Sequence, residues 1–161
     1  MNESVQIYYG EGKGKTAAAL GYALRAASCG KSVIVIQFLK GKNVDDYAIF
    51  KRLEPEIRLF CFEKSDSYFA DLTEEEQAEE AANIRNAMNY AKKVLSTREC
   101  DLLVLDEVLG LIDEGLATGE EVLQVLSGKT DSTEVILTGL TLDEKLREAA
   151  DAVYKIEVEK A

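Results

Sequence analysis

Val5-Gln6-Ile7-Tyr8-Tyr9 runs into Gly10-Glu11-Gly12-Lys13-Gly14-Lys15-Thr16, and the Ala/Leu-rich stretch Thr16–Cys29 follows directly. The first five residues read as a strand, and the Ala/Leu stretch reads as a helix ended by Gly30. Between them, three glycines let the backbone curl so that several N–H groups point inward at an anion. The helix N-terminus adds its partial positive charge. Lys15 can reach terminal phosphates, and the Thr16 hydroxyl can ligate Mg²⁺. The usual phosphate-loop pattern, G-x-x-x-x-G-K-[ST], fails by one position because Tyr9 stands where its first glycine belongs. A glycine-rich turn that merely joins a strand to a helix would leave two lysines beside a glycine nest unexplained. Gly10, Gly12, Lys13, Gly14, Lys15, Thr16 and Ala17 are therefore the expected phosphate-binding residues, with ATP as the ligand.

Working outward, short apolar runs alternate with helical stretches. Val33–Phe38 and Leu102–Leu105 are unbroken apolar runs, the pattern of strands buried on both faces. Ile57–Phe62, Glu134–Thr138 and Ala152–Val158 read as further strands. A short helix is expected over Asp45–Leu53 and a loop over Glu63–Leu72. Capping boxes at Thr73/Glu76, Thr118/Glu121 and Thr141/Glu144 predict three helix starts. The first of these helices carries a core stripe of Ala81, Ile84, Met88, Ala91 and Leu95. Its acidic run, Glu74, Glu75, Glu76, Glu79 and Glu80, complements the helix dipole. The order implies an α/β fold of the P-loop NTPase-like class: a mostly parallel central sheet of about six strands with helices on both faces. Residues 1–161 are expected to form one nucleotide-binding domain.

Asp106-Glu107 follows the fourth strand, which places a carboxylate at the C-terminal edge of the sheet, where ligands of open α/β sheets sit. In phosphate-loop proteins an acid there helps to hold Mg²⁺. Thr16, Glu107 and Asp106 are thus the candidate Mg²⁺ residues, with Mn²⁺ as the alternative ion. Thr138-Gly139 ends the fifth strand; its hydroxyl suits either a phosphate or water contact or simple turn chemistry.

The bulk composition narrows the chemistry. The chain has 161 residues, a net charge of -11, 47% hydrophobic and 30% charged residues, and no histidine. Its acidity disfavours nucleic-acid binding, which needs a basic surface. Without imidazole there is no His-based triad, His metal site or imidazole proton shuttle. Cys29, Cys61 and Cys100 form no CxxC pair and read as buried small hydrophobes of a reducing compartment. The first residues do not read as a secretory signal, and no apolar run reaches membrane-spanning length. A cytoplasmic location and no membrane partner are the expectations.

With these motifs placed, the chain resembles the ATP:corrinoid adenosyltransferases. The resemblance is carried by GEGKGKT (10–16), ALGYALRAASCGK (19–31), VIVIQFLKG (33–41), LLVLDEV (102–108), VILTG (135–139) and ADAVYKI (150–156). The shifted form of the phosphate loop is typical of that family. The resemblance implies that Co(I) of a reduced corrinoid attacks the 5′ carbon of ATP, releasing triphosphate. No protein nucleophile is then required, and the corrinoid is the substrate. It further implies a reductase supplying Co(I), a homodimer, and Arg25 near the nucleotide, although Arg25 also reads as an ordinary surface charge.

The chain departs from the family in three places. Where family members carry G-F-T-W after the third strand, this chain has Glu63–Phe69, and it has no tryptophan. Tyr68 and Phe69 either stand in for the corrinoid-site aromatics or anchor a loop. The family's T-G-R is Thr138-Gly139-Leu140, and its basic tail is absent. Two alternatives therefore stay open: an ordinary P-loop ATPase or phosphotransferase, and a non-catalytic nucleotide-binding protein without corrinoid activity.

Overall fold

Runs such as Val33–Gln37 and Leu102–Asp106 carry apolar side chains on both sides, so a strand made of them is stable only between two covering layers. In the computed structural model, which describes residues 4–39, 44–62 and 69–161, both strands are buried along their whole length. Six strands form one sheet: β1 (Val5–Gly10), β2 (Val33–Gln37), β3 (Ile57–Cys61), β4 (Leu102–Asp106), β5 (Glu134–Gly139) and β6 (Ala152–Ile156). Their order is β3-β2-β4-β5-β1-β6, and every pairing is parallel. All C-terminal ends therefore share one edge. The register sets Gln37 opposite Asp106, Tyr8 opposite Thr138, and Gly10 opposite Ile156.

Helix α1 (Gly14–Ser28) covers one face. Its Ala19, Ala23 and Ala26 pack on Tyr8, Val33, Val35, Leu102, Val104 and Ile136. The other face carries α2 (Glu74–Thr97), α3 (Val108–Asp113), α4 (Gly119–Leu126) and α5 (Glu144–Ala149). They cover the alternate strand residues, among them Ile7, Ile34, Ile36, Leu103, Leu105 and Leu137. The period of two along each strand thus divides the core into two layers.

Local signals explain most helix starts. Thr73 accepts from the Glu76 N–H at 3.2 Å, and Thr118 from the Glu121 N–H at 3.1 Å. The third expected cap is corrected: Asp143, not Thr141, caps α5, accepting from the Leu146 N–H at 3.1 Å. In α2, Ile84, Met88, Ala91 and Leu95 are buried while Ala81 is half-buried. Glu80, read as part of the acidic run, is buried instead. The segment Val44–Leu53 is a 3-10 helix, and α3 was not anticipated. Of the cysteines only Cys100 is buried; Cys29 and Cys61 are exposed, against the expectation of three core thiols. Among the described residues no helix is long and apolar enough to cross a membrane.

Candidate nucleotide site

The phosphate loop needs glycine for its backbone. Gly10 has φ +132° and Gly12 has φ +84°, a region that residues with a Cβ rarely adopt. The loop opens α1 at Gly14, after Lys13. Unlike α2, α4 and α5, this helix start has no side-chain cap and no acidic residue in its first turn. Its leading N–H groups and the positive end of its dipole are left for an external anion.

Lys15 lies over the loop. Its Nζ donates to the Gly12 carbonyl at 3.3 Å and stands 3.6 Å from Glu107 Oε1. Both side chains are largely shielded, at 12% and 18% exposure. Glu107 sits at the N-terminus of α3 with φ +63°, a conformation that a non-glycine residue holds only where its surroundings impose it.

Asp106 is fully buried and is the hub of the site. Thr16 donates to its Oδ1 at 2.9 Å, Thr138 to the same oxygen at 2.7 Å, and Gln37 Nε2 to Oδ2 at 3.3 Å. A buried carboxylate is tolerable only with such donors around it. The Thr138 hydroxyl also accepts from the Glu107 N–H at 2.8 Å. Thr138 therefore links the Asp106 carboxylate to the Glu107 backbone.

The structure thus brings Gly10, Gly12, Lys15, Thr16, Asp106, Glu107 and Thr138 together at one sheet edge, with Lys13, Gly14 and Ala17 on the loop and first turn. Arg25 is not brought there. It is exposed in the last turn of α1, eleven residues past Gly14 and about 16 Å along the helix. Tyr68 lies outside the described residues. Of Phe69 only the backbone is described, opening a short 3-10 turn, Phe69–Asp71. Gln37 was not singled out from the sequence. Its signal was there: one polar residue closing an otherwise apolar central strand.

The donor set fits Mg²⁺. Thr16 gives its hydroxyl hydrogen to the Asp106 carboxylate and keeps oxygen lone pairs free, and the Glu107 carboxylate lies at the same sheet edge, 3.6 Å from Lys15. Among the described residues no three His, Cys, Asp or Glu side chains gather as a protein cage. That suits an ion that keeps waters and takes phosphate oxygens beside one or two carboxylates. Beside the loop, a cavity of about 580 Å³ opens between Gly10, Glu11, Leu140 and the chain leaving β6.

Comparison with known proteins gives a consistent result. The sequence model of the family described as ATP:corrinoid adenosyltransferase BtuR/CobO/CobP matches residues 2–161. The corrinoid adenosyltransferase of Escherichia coli is 33% identical over 150 residues, covering 93% of this chain and 74% of the relative. That of Salmonella typhimurium is 31% identical over the same coverage. A crystal structure of a KaiC-like protein from Pyrococcus horikoshii superposes with a TM-score of 0.63 at 18% identity, covering 98% of this chain and 73% of that one. At that identity the likeness concerns the fold alone.

Proposed function

The chain belongs to the ATP:corrinoid adenosyltransferase family, and from that premise we propose that it transfers the 5′-deoxyadenosyl group of ATP to Co(I) of a corrinoid. In this reaction the cobalt–carbon bond forms as the C5′–O bond breaks. Triphosphate leaves with the electron pair, and the cobalt is formally oxidised to Co(III). The observation that carries the reading is the pairing of an uncapped, glycine-lined helix start with the Thr16–Asp106–Thr138 hydrogen-bond chain. Together they supply anion-binding amides and a rigidly held hydroxyl at one sheet edge.

In this reading Gly10 to Ala17 hold the polyphosphate, and Lys15 leaves Glu107 to meet its negative charge. Thr16, with Asp106 and Glu107, holds Mg²⁺, which neutralises charge on the phosphates. The protein's work is binding and orientation, since the nucleophile belongs to the substrate. A homodimer, a reductase supplying Co(I) and a cytoplasmic setting complete the proposal. The test is product analysis with ATP, Mg²⁺ and chemically reduced corrinoid. Triphosphate and a cobalt–carbon absorption spectrum are expected. ADP and phosphate formed without corrinoid would select the ordinary ATPase instead, and binding without turnover a non-catalytic nucleotide-binding protein.

A further inference from the structure

The loop glycines are spaced two apart, and all three face the same neighbour. A Cβ on Gly10 would stand 2.0 Å from the Ile156 carbonyl oxygen. One on Gly12 would stand 2.7 Å from Val158 Cγ2, and one on Gly14 3.1 Å from Ile156 Cγ2. Gly14 has no positive φ, so space rather than backbone conformation is what favours glycine there. The parallel β1–β6 pairing sets Gly10 opposite Ile156, and the chain then continues past the strand end alongside the loop. Val158 lies beyond β6 and is 46% exposed, so it adds little to the core. Its methyl group nevertheless fills the space beside Gly12.

We propose that Ile156 and Val158 are positioning residues of the phosphate site: the chain leaving β6 is the wall that holds the glycine loop in its anion-binding curve. Three glycines give this loop more backbone freedom than residues with a Cβ would in their place, and ordering it on binding costs affinity. A wall in contact with every second residue removes that freedom before the ligand arrives. The proposal rests on the reading that polyphosphate binds this loop, and the experiment separates the two.

The measurements use the full chain carrying Val158→Ala or the near-isosteric Val158→Thr. The first is calorimetric titration with inorganic triphosphate and Mg²⁺. The second is hydrogen exchange of amides 12–16 in the free protein. For Val158→Ala the Kd rises about threefold to tenfold, the scale of losing one or two packed methyl groups. Exchange of the loop amides speeds up while the melting temperature holds. Val158→Thr, which keeps the branched shape, restores both. Unchanged exchange in Val158→Ala overturns the proposal, as does faster exchange spread across the whole sheet. If the wild-type chain fails to bind triphosphate, the phosphate reading falls, while exchange in the free protein still decides whether the wall exists.

Discussion

Asp106 shows how one side chain organises a site. Fully buried, it gathers two hydroxyls and an amide, and one of those hydroxyls, from Thr138, also fixes the backbone of Glu107. Lys15 and Glu107 meet at 3.6 Å, and under the proposed function the two separate when a nucleotide arrives, Lys15 to its phosphates and Glu107 to the metal. Lys15→Ala removes a charge-assisted phosphate contact, so Kd for MgATP rises by about tenfold or more in calorimetric titration. Glu107→Gln removes the anion that competes for Lys15. Kd for ATP measured in chelator then falls by about threefold, the scale of a partly shielded ion pair, while turnover with Mg²⁺ drops. Tighter metal-free binding without loss of turnover would mean that Glu107 serves only Lys15.

At the scale of elements, capping decides where helices begin. Thr141/Glu144 and Asp143 both carry cap-forming residue types two positions apart, and sequence spacing favours the threonine. The chain turning out of β5 sets Asp143 at the α5 start with extended backbone, so the carboxylate takes the Leu146 N–H. Asp143→Ala therefore lowers stability by about 1 kcal/mol in denaturant unfolding, whereas Thr141→Ala leaves it unchanged. Equal losses from both would restore the threonine cap. Helix α3 escaped the sequence reading for a related reason. Six residues, Val108–Asp113, are too few to show a helical period, and Gly110 lies inside them.

At the scale of the molecule, the two ends of the chain meet. Asp151, just before β6, accepts from the Val5 N–H and the Ser4 hydroxyl, each at 2.9 Å, at the start of β1. The Val5 N–H first, and then the Ser4 hydroxyl, hold its carboxyl below the ordinary aspartate value of 3.8. A depressed folded value means that the contribution is complete above about 3.8 and is lost as pH falls through the folded value. Wild type and Asp151→Ala should therefore differ in melting temperature near neutral pH, with the gap narrowing as pH falls from about 3.8 toward the lower folded value. A gap that stays constant down to pH 2.5 would show that the carboxylate's charge plays no part. Elsewhere, burial pushes the Cys100 thiol up to about 12, so alkylation at neutral pH should reach Cys29 and Cys61 and spare Cys100.

Local patterns alone specify the strands, the glycine loop before α1 and the acidic pair after β4: unbroken apolar runs, glycines before a helix, an acid after a buried strand. The sequence also determined the family. Long-range packing alone sets β5 between β1 and β4, which brings Thr138 to the same Asp106 oxygen that Thr16 reaches, and sets β2 where Gln37 lies beside the same carboxylate. Only the tertiary structure showed that Gly10, Gly12 and Gly14 face Ile156 and Val158. Strand order and the approach of distant chain segments arise from long-range packing, and no local run of residues encodes them.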